Sequence, residues 1–158
     1  MLKEQIFKAN DIRGVVTGAN PELDLDGARR LGAAFVDLLD LSGETFVTGR
    51  DMRQLGEELA MAFADGARRA GASIIHLGLT STDLLWFGSG HLGLPGVQFT
   101  ASHNPARYNG MKFCLAGASP VYSDFTADLR ERAKTVSIGD KVVGDYEERD
   151  LTAEFVAH

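Results

Sequence analysis

Residues 24–50 read DLDGARRLGAAFVDLLDLSGETFVTGR and place a helical pattern directly before a strand pattern. Apolar side chains recur at intervals of three and four over residues 24–41, which predicts an amphipathic helix there. Asp24 or Asp26 can cap the first turn of this helix. Residues 45–48 are β-branched or aromatic, so they predict a short strand.

The alternation of helix and strand patterns continues to residue 134. Helical patterns cover residues 55–70, 82–87 and 123–134, and strand patterns cover residues 73–78, 97–100 and 110–115. We therefore expect an α/β fold, a three-layer α/β/α sandwich with a mixed, mostly parallel sheet of about four strands. The last two strands are separated by about ten residues, too few for a helical crossover, so we expect them to be antiparallel.

Residues 137–158 differ in composition from the residues before them. They are polar around a short β-like core, and residues 146–155 form an acidic stretch that can begin a helix. We therefore expect one domain over residues 1–136. Residues 137–158 are expected to be a linker and the start of a second domain that is absent from this chain.

The composition is that of a soluble globular domain. The chain has 158 residues, of which 44% are hydrophobic and 24% charged, enough for about one domain. Its 16 basic and 22 acidic residues give a net charge of −6, which disfavours nucleic acid as a partner. No run approaches the roughly 18 apolar residues of a membrane span, and no leader pattern is present, so we expect no membrane partner and a cytoplasmic location. Cys114 is the single cysteine, which excludes an internal disulfide and a cysteine-based zinc site, and its apolar neighbours predict a buried position.

The most informative polar segment is residues 100–112, which read TASHNPARYNGMK directly after a predicted strand. Pro105 restricts the backbone and the Asn109-Gly110 pair favours a turn, so Ser102 can be held outward on a firm loop. Loops placed by a rigid scaffold often carry function. Taken alone, a Ser-His pair in such a segment is more simply interpreted as part of a polar loop whose side chains satisfy their own backbone.

A serine hydrolase is disfavoured for this segment. Adjacent residues of an extended loop point apart, so His103 is poorly placed to act as the base for Ser102. The Gly-x-Ser-x-Gly elbow is missing, because Ala101 and His103 flank the serine.

Two shorter clusters contain arginine beside glycine. Residues 10–14 read NDIRG, and the planar guanidinium of Arg13 suits phosphate oxygens, although a surface ion pair is the simpler interpretation. Residues 49–51 read GRD at the end of a predicted strand, where Arg50 and Asp51 can pair locally.

Together, these segments resemble the α-D-phosphohexomutase family, and most closely the N-terminal domain of its phosphomannomutase/phosphoglucomutase branch. The family has an Asp-x-Arg-Gly element, here residues 11–14, and a Gly-Arg-Asp element, here residues 49–51. Its active-site serine loop corresponds to residues 100–105, followed by the Asn-Gly-x-Lys of residues 109–112. Order and spacing both match, and the resemblance extends over residues 6–135.

The resemblance implies an intramolecular phosphotransferase, an isomerase that interconverts hexose 1-phosphate and hexose 6-phosphate. Ser102 would carry the phosphoryl group and exchange it with the hexose phosphate through hexose 1,6-bisphosphate. The other site residues implied are His103 for proton transfer, Lys112 for charge neutralisation, and Arg13, Asn104 and Asn109 for binding phosphate or substrate.

The resemblance also implies a magnesium ion held through the phosphate on Ser102, with its remaining ligands in a second domain. Family members have four domains, and the sequence matches the first. The expected partners are therefore a hexose phosphate and the C-terminal domains of the same polypeptide. We expect the isolated first domain to be inactive as a mutase; the alternative is a stand-alone, non-catalytic module that binds sugar phosphates with the same fold.

Overall fold

The computed structural model describes residues 2–158. The strands are β1 (Asp11–Val15), β2 (Thr45–Arg50), β3 (Ser73–Leu79), β4 (Gly96–Phe99), β5 (Tyr108–Cys114) and β6 (Tyr146–Glu148). The helices are α1 (Leu25–Leu39), α2 (Gly56–Arg69), α3 (Thr82–Leu92), α4 (Phe125–Thr135) and α5 (Thr152–Ala157). Within this range, no helix combines the length and the apolar character needed to cross a membrane.

The strands form one mixed sheet in the order β1-β5-β4-β2-β3-β6. Strands β4, β2, β3 and β6 are parallel to one another, whereas β5 is antiparallel to its two neighbours, β1 and β4. The α/β fold and the antiparallel β4–β5 pair are thereby confirmed. The side chains of α1, α2 and α4 share one core with the sheet, and α3 packs into a second core, which gives the expected helix layers on both faces.

The sheet has six strands over residues 2–158, rather than the expected four. The missed strand β1 has only five residues and includes Gly14, so its alternating burial is too short to dominate the sequence pattern. The missed strand β6 has three residues and is stabilised by pairing with β3. The acidic stretch 146–155 therefore begins as a strand, and its helix starts at Thr152.

The close approach of α1 and α2 depends on glycine. A Cβ atom on Gly32 would lie 2.0 Å from the carbonyl oxygen of Phe63, and one on Gly66 would lie 1.9 Å from that of Arg29. With these side chains absent, the two helices pack directly against each other. Phe35 of α1 packs in the core, where its ring centroid lies 5.0 Å from that of Phe46.

The helix limits follow their capping groups. The Asp24 carboxylate accepts a hydrogen bond of 2.7 Å from the Gly27 amide, as predicted for the start of α1. The helix ends at Leu39 and is capped by Asp40, which has a left-handed φ of 55°. Helix α3 is longer than the predicted 82–87; it ends at Leu92 and is capped by Gly93, with a φ of 68°.

The C-terminal segment lies along the domain. The amides of Val143 and Gly144 both donate to the Arg68 carbonyl at 3.1 Å, and Arg68 Nε donates to the Gly144 carbonyl at 3.0 Å. Leu151 is buried beside α3. The domain boundary expected at residue 136 stays a prediction, and the residues beyond it extend the sheet.

Candidate active site

The candidate site lies at the carboxyl ends of β2 and β4. Helix α2 leads from β2 to β3 on one face of the sheet, and α3 leads from β3 to β4 on the other. The neighbouring strands β2 and β4 therefore flank a topological switch point of the sheet. Open α/β sheets bind their ligands at such points. The Asp51 amide donates to the Phe99 carbonyl at 3.0 Å and so joins the two strand ends.

The connection from β4 to β5, residues 100–107, is here named the serine loop. Ser102 is exposed and has a left-handed φ of 53°, which is uncommon for a residue other than glycine. Its amide donates to Thr100 Oγ1 at 3.1 Å, and the Asn104 amide donates to the Ala101 carbonyl at 3.1 Å. The loop thus has internal order and presents Ser102 to solvent, as the sequence predicts.

Asp51 connects the serine loop to the end of β2. Its Oδ2 accepts a hydrogen bond of 2.5 Å from the Thr100 hydroxyl, and its Oδ1 accepts one of 3.1 Å from the Arg53 amide. The local pairing of Arg50 with Asp51 that the sequence allows is not formed, because Arg50 pairs with Glu57 at 2.9 Å. Asp51 is thereby left to orient the serine loop.

Arg53 is a site residue that the sequence analysis missed. Its guanidinium donates to four backbone carbonyls, those of Ser102, Asn104, Pro105 and Tyr108. These contacts join residues about fifty positions apart, so no local sequence pattern predicts them. The available signal was the spacing of Arg53 two positions after Asp51 in the loop that follows β2.

Arg13 and Asn104 contact each other at the serine loop. Arg13 Nη1 donates to Asn104 Oδ1 at 3.2 Å, and Arg13 Nε donates to Asp11 Oδ1 at 3.2 Å. Strand β1 places Arg13 opposite Gly110 of β5. These two contacts orient the guanidinium and leave further N–H donors available.

Lys112 lies in β5, beside a cavity of about 280 Å³. It is paired in register with Asp11 of β1 and Gln98 of β4, and it is half-buried. Asn10 and Trp86 also line the cavity. This wall combines a cation, carboxylate and amide groups with an aromatic ring.

His103 and Asn109 lie in contrasting environments. His103 is exposed on the serine loop next to Ser102. Asn109 is fully buried, where its Nδ2 donates to the Gln54 carbonyl at 3.0 Å and its Oδ1 accepts from the Gly110 amide at 2.8 Å. The Asn109 side chain therefore binds backbone groups on both sides of the site rather than facing the exposed loop.

A family model described as phosphoglucomutase/phosphomannomutase, alpha/beta/alpha domain I, matches residues 4–138. The chain belongs to this family. A phosphomannomutase of Salmonella typhimurium is 36% identical over 165 residues, which cover 100% of this chain and 35% of the relative. A phosphomannomutase of Vibrio cholerae is 37% identical over 160 residues, which cover 96% of this chain and 34% of the relative.

Solved structures agree with this phosphoglucomutase/phosphomannomutase domain. A family protein from Burkholderia thailandensis has a TM-score of 0.85 and 34% identity, covering 99% of this chain and 35% of the other. A putative phosphomannomutase from Thermus thermophilus has a TM-score of 0.74 and 31% identity, covering 92% of this chain and 33% of the other. The phosphoglucomutase/phosphomannomutase domain thus spans about a third of the length of these relatives.

The residues of this phosphoglucomutase/phosphomannomutase domain do not by themselves fit the expected magnesium site. Within residues 2–158, no group of three or more histidine, cysteine, aspartate or glutamate side chains is placed to hold a metal ion. A phosphate on Ser102 would supply one ligand to such an ion.

Proposed function

We propose that this chain is the phosphoserine-bearing first domain of a phosphomannomutase/phosphoglucomutase. The whole protein would interconvert hexose 1-phosphate and hexose 6-phosphate through hexose 1,6-bisphosphate. The observation that carries the proposal is the exposed, left-handed Ser102 on a loop bonded to both Arg13 and Asp51 through its neighbours. Family membership and the names of the phosphomannomutase relatives support the same reaction class.

In the proposed transfer, the Ser102 hydroxyl oxygen attacks a phosphoryl group of the bisphosphorylated sugar. The Oγ–P bond forms as the P–O bond to the sugar breaks, and the proton from Oγ passes to the sugar oxygen. The exposed His103 imidazole is the proposed carrier of this proton. In the reverse step, the phosphoserine gives its phosphoryl group to the free hydroxyl of a hexose monophosphate, which forms the bisphosphate and restores the free Ser102 hydroxyl. Transfer of the other phosphoryl group of that bisphosphate to Ser102 then regenerates the phosphoserine.

Catalysis of such a transfer rests mainly on positioning and on stabilising negative charge. Arg13 and Lys112 are the proposed cations for the phosphoryl oxygens, and Asn104 orients Arg13. Asn109 is assigned a positioning role because its amide holds backbone at Gln54 and Gly110. This role replaces direct contact with phosphate or substrate.

We also propose that net isomerisation needs residues beyond these 158, since the relatives are about three times as long. Those residues would supply the magnesium ligands and further contacts to the hexose phosphate. The proposed partners are therefore the hexose phosphate and the remaining domains of the same polypeptide. A single phosphoryl transfer to Ser102 needs fewer groups than the complete cycle and is the reaction to test in this chain.

The test is incubation with hexose 1,6-bisphosphate and magnesium, followed by intact-mass measurement. The wild-type chain should gain one phosphoryl group, the Ser102→Ala variant none, and a coupled assay should detect no net conversion of hexose 1-phosphate. Equal incorporation by Ser102→Ala would contradict the proposal. Binding of the bisphosphate without phosphoryl transfer would instead favour the non-catalytic module.

A further inference from the structure

We propose that Arg53 is a positioning residue that holds the serine loop in the conformation in which Ser102 receives a phosphoryl group. This inference rests on the proposed function of Ser102. Its basis is the arrangement of backbone carbonyls around one guanidinium. Arg53 itself lies behind the loop, and we assign it no contact with substrate.

The contacts of Arg53 are distributed along the whole serine loop and its exit into β5. Nη2 donates to the carbonyls of Ser102 and Asn104, the latter at 2.8 Å. Nη1 donates to the carbonyls of Pro105 and Tyr108, at 3.0 and 3.2 Å. One side chain therefore fixes four peptide groups that surround the exposed serine.

Arg53 is partly buried, which favours these contacts. Its side chain is 14% exposed, and the carboxylate oxygen Asp51 Oδ2 lies 3.8 Å from Nε. A cation removed from water is costly unless its donors are satisfied, and here the loop carbonyls satisfy them. The planar guanidinium presents donors in several fixed directions, whereas a lysine ammonium presents all three donors at one point.

The peptide groups on both sides of Ser102 are connected by hydrogen bonds to the loop that follows β2. On its C-terminal side, the Ser102 carbonyl accepts from Arg53. On its N-terminal side, the Ser102 amide donates to Thr100 Oγ1, which in turn donates to Asp51. Because a left-handed φ is unfavourable for serine, it persists only where its surroundings fix it, and Arg53 and Asp51 supply those surroundings.

The serine loop can lose this order without loss of the core. Ser102, His103 and the three residues 105–107 are all exposed, so the tip of the loop contributes little to the hydrophobic core. Removal of the guanidinium is therefore expected to loosen the loop while the sheet and helices persist. Arg107 provides a matched control because it is an exposed arginine of the same loop, with its guanidinium 5.2 Å from the Tyr108 ring centre.

The experiment compares wild type with Arg53→Lys, Arg53→Ala and Arg107→Ala by two measurements. The first is amide hydrogen exchange of the peptide covering residues 100–108, which reports loop order without any reaction. The second is the rate of phosphoryl incorporation from hexose 1,6-bisphosphate. We expect both Arg53 variants to exchange about tenfold faster in the loop, and not in the core strands. We expect them to incorporate phosphate about 100-fold more slowly, with Arg107→Ala close to wild type.

Addition of guanidinium ion at a non-denaturing concentration supplies a readout that a purely structural defect would not give. It should restore part of the incorporation rate to Arg53→Ala and leave Arg53→Lys unchanged, since the lysine occupies the site. The proposal is overturned if loop exchange in Arg53→Ala equals that of wild type, or if exchange rises while incorporation stays at the wild-type rate. A wild-type chain that takes no phosphate, with loop exchange still raised in the variants, would refute the function of Ser102 and leave Arg53 as an organiser of the loop alone.

Discussion

The hydroxyl of Thr100 donates to Asp51 Oδ2 at 2.5 Å, which joins the loop after β4 to the loop after β2. Thr100 Oγ1 also accepts a hydrogen bond from the Ser102 amide. Hydrogen bonds to a carboxylate are shorter and stronger than those between neutral groups. The backbone of the candidate nucleophile is thus connected through one hydroxyl to a residue of the loop that follows another strand, β2.

Replacement of Thr100 by valine removes this connection and preserves the shape of the side chain. Because the lost hydrogen bond has a charged acceptor, we expect the free energy of unfolding to fall by about 1.5–3 kcal/mol. Urea denaturation measures the change. Thr45→Val, at the other end of β2, is the control and should change the value by about 0.5 kcal/mol or less. Equal losses in the two variants would contradict this interpretation.

The glycines of α2 and α3 provide a paired test of helix packing. A Cβ on Gly66 would lie 1.9 Å from a backbone carbonyl of α1, whereas one on Gly90 of α3 would meet no atom within 4 Å. We expect Gly66→Ala to destabilise the fold by about 1–3 kcal/mol through overpacking. Gly90→Ala should stabilise it by up to about 1 kcal/mol through higher helix propensity. Thermal unfolding of both variants checks the prediction, and a shift in the same direction for both would oppose it.

Stability at mildly acidic pH should depend on His76. Burial lowers the pKa of its imidazole below the ordinary value, and although Glu57 and Glu148 favour the charged form, burial and Arg50 oppose it. The ring is 2% exposed, and its Nδ1 lies 2.7 Å from Thr48 Oγ1. The unfolded chain therefore binds a proton at a higher pH than the folded chain does.

Because unfolding takes up a proton in this window, stability contributed by neutral His76 is present above the unfolded pKa of 6.5 and declines as the pH falls from there towards the lower folded pKa. Unfolding free energies measured from pH 7.5 to pH 5, about one unit or more on either side of the ordinary histidine pKa, should show this decline. His76→Gln should have a shallower slope. An unchanged slope in His76→Gln would show that other groups cause the pH dependence.

Lys112 is expected to act on phosphoryl transfer more than on stability. Replacement by glutamine removes the charge beside the cavity and keeps most of the side-chain length. We expect incorporation of phosphate to slow by about 100- to 1000-fold, the usual effect of removing one donor from a transition state. Lys134→Gln, an exposed lysine of α4, is the control. Similar rates for the two variants would remove Lys112 from the proposed site.

The sequence was a good guide to the features that depend on local patterns. The apolar spacing of α1 predicted its extent, and the residues of the serine loop predicted an exposed Ser102 after a strand. In these cases the residue types and their spacing contain the relevant information within one short segment.

Other features depend on contacts between distant segments and could not be predicted in this way. Arg53 donates to backbone carbonyls, which every residue possesses, so the side chains of its partners do not indicate the contact. Arg50 pairs with Glu57 of α2 rather than with its neighbour Asp51, because α2 begins beside Arg50. Strand β6 is only three residues long and depends on the edge of β3 for its pairing.

The most direct test of the central claim is tandem mass spectrometry of the wild-type chain after reaction with hexose 1,6-bisphosphate. The account predicts that the phosphate is found on the peptide covering the serine loop and is assigned to Ser102. Recovery of the phosphate on any other residue, with Ser102 unmodified, would contradict it.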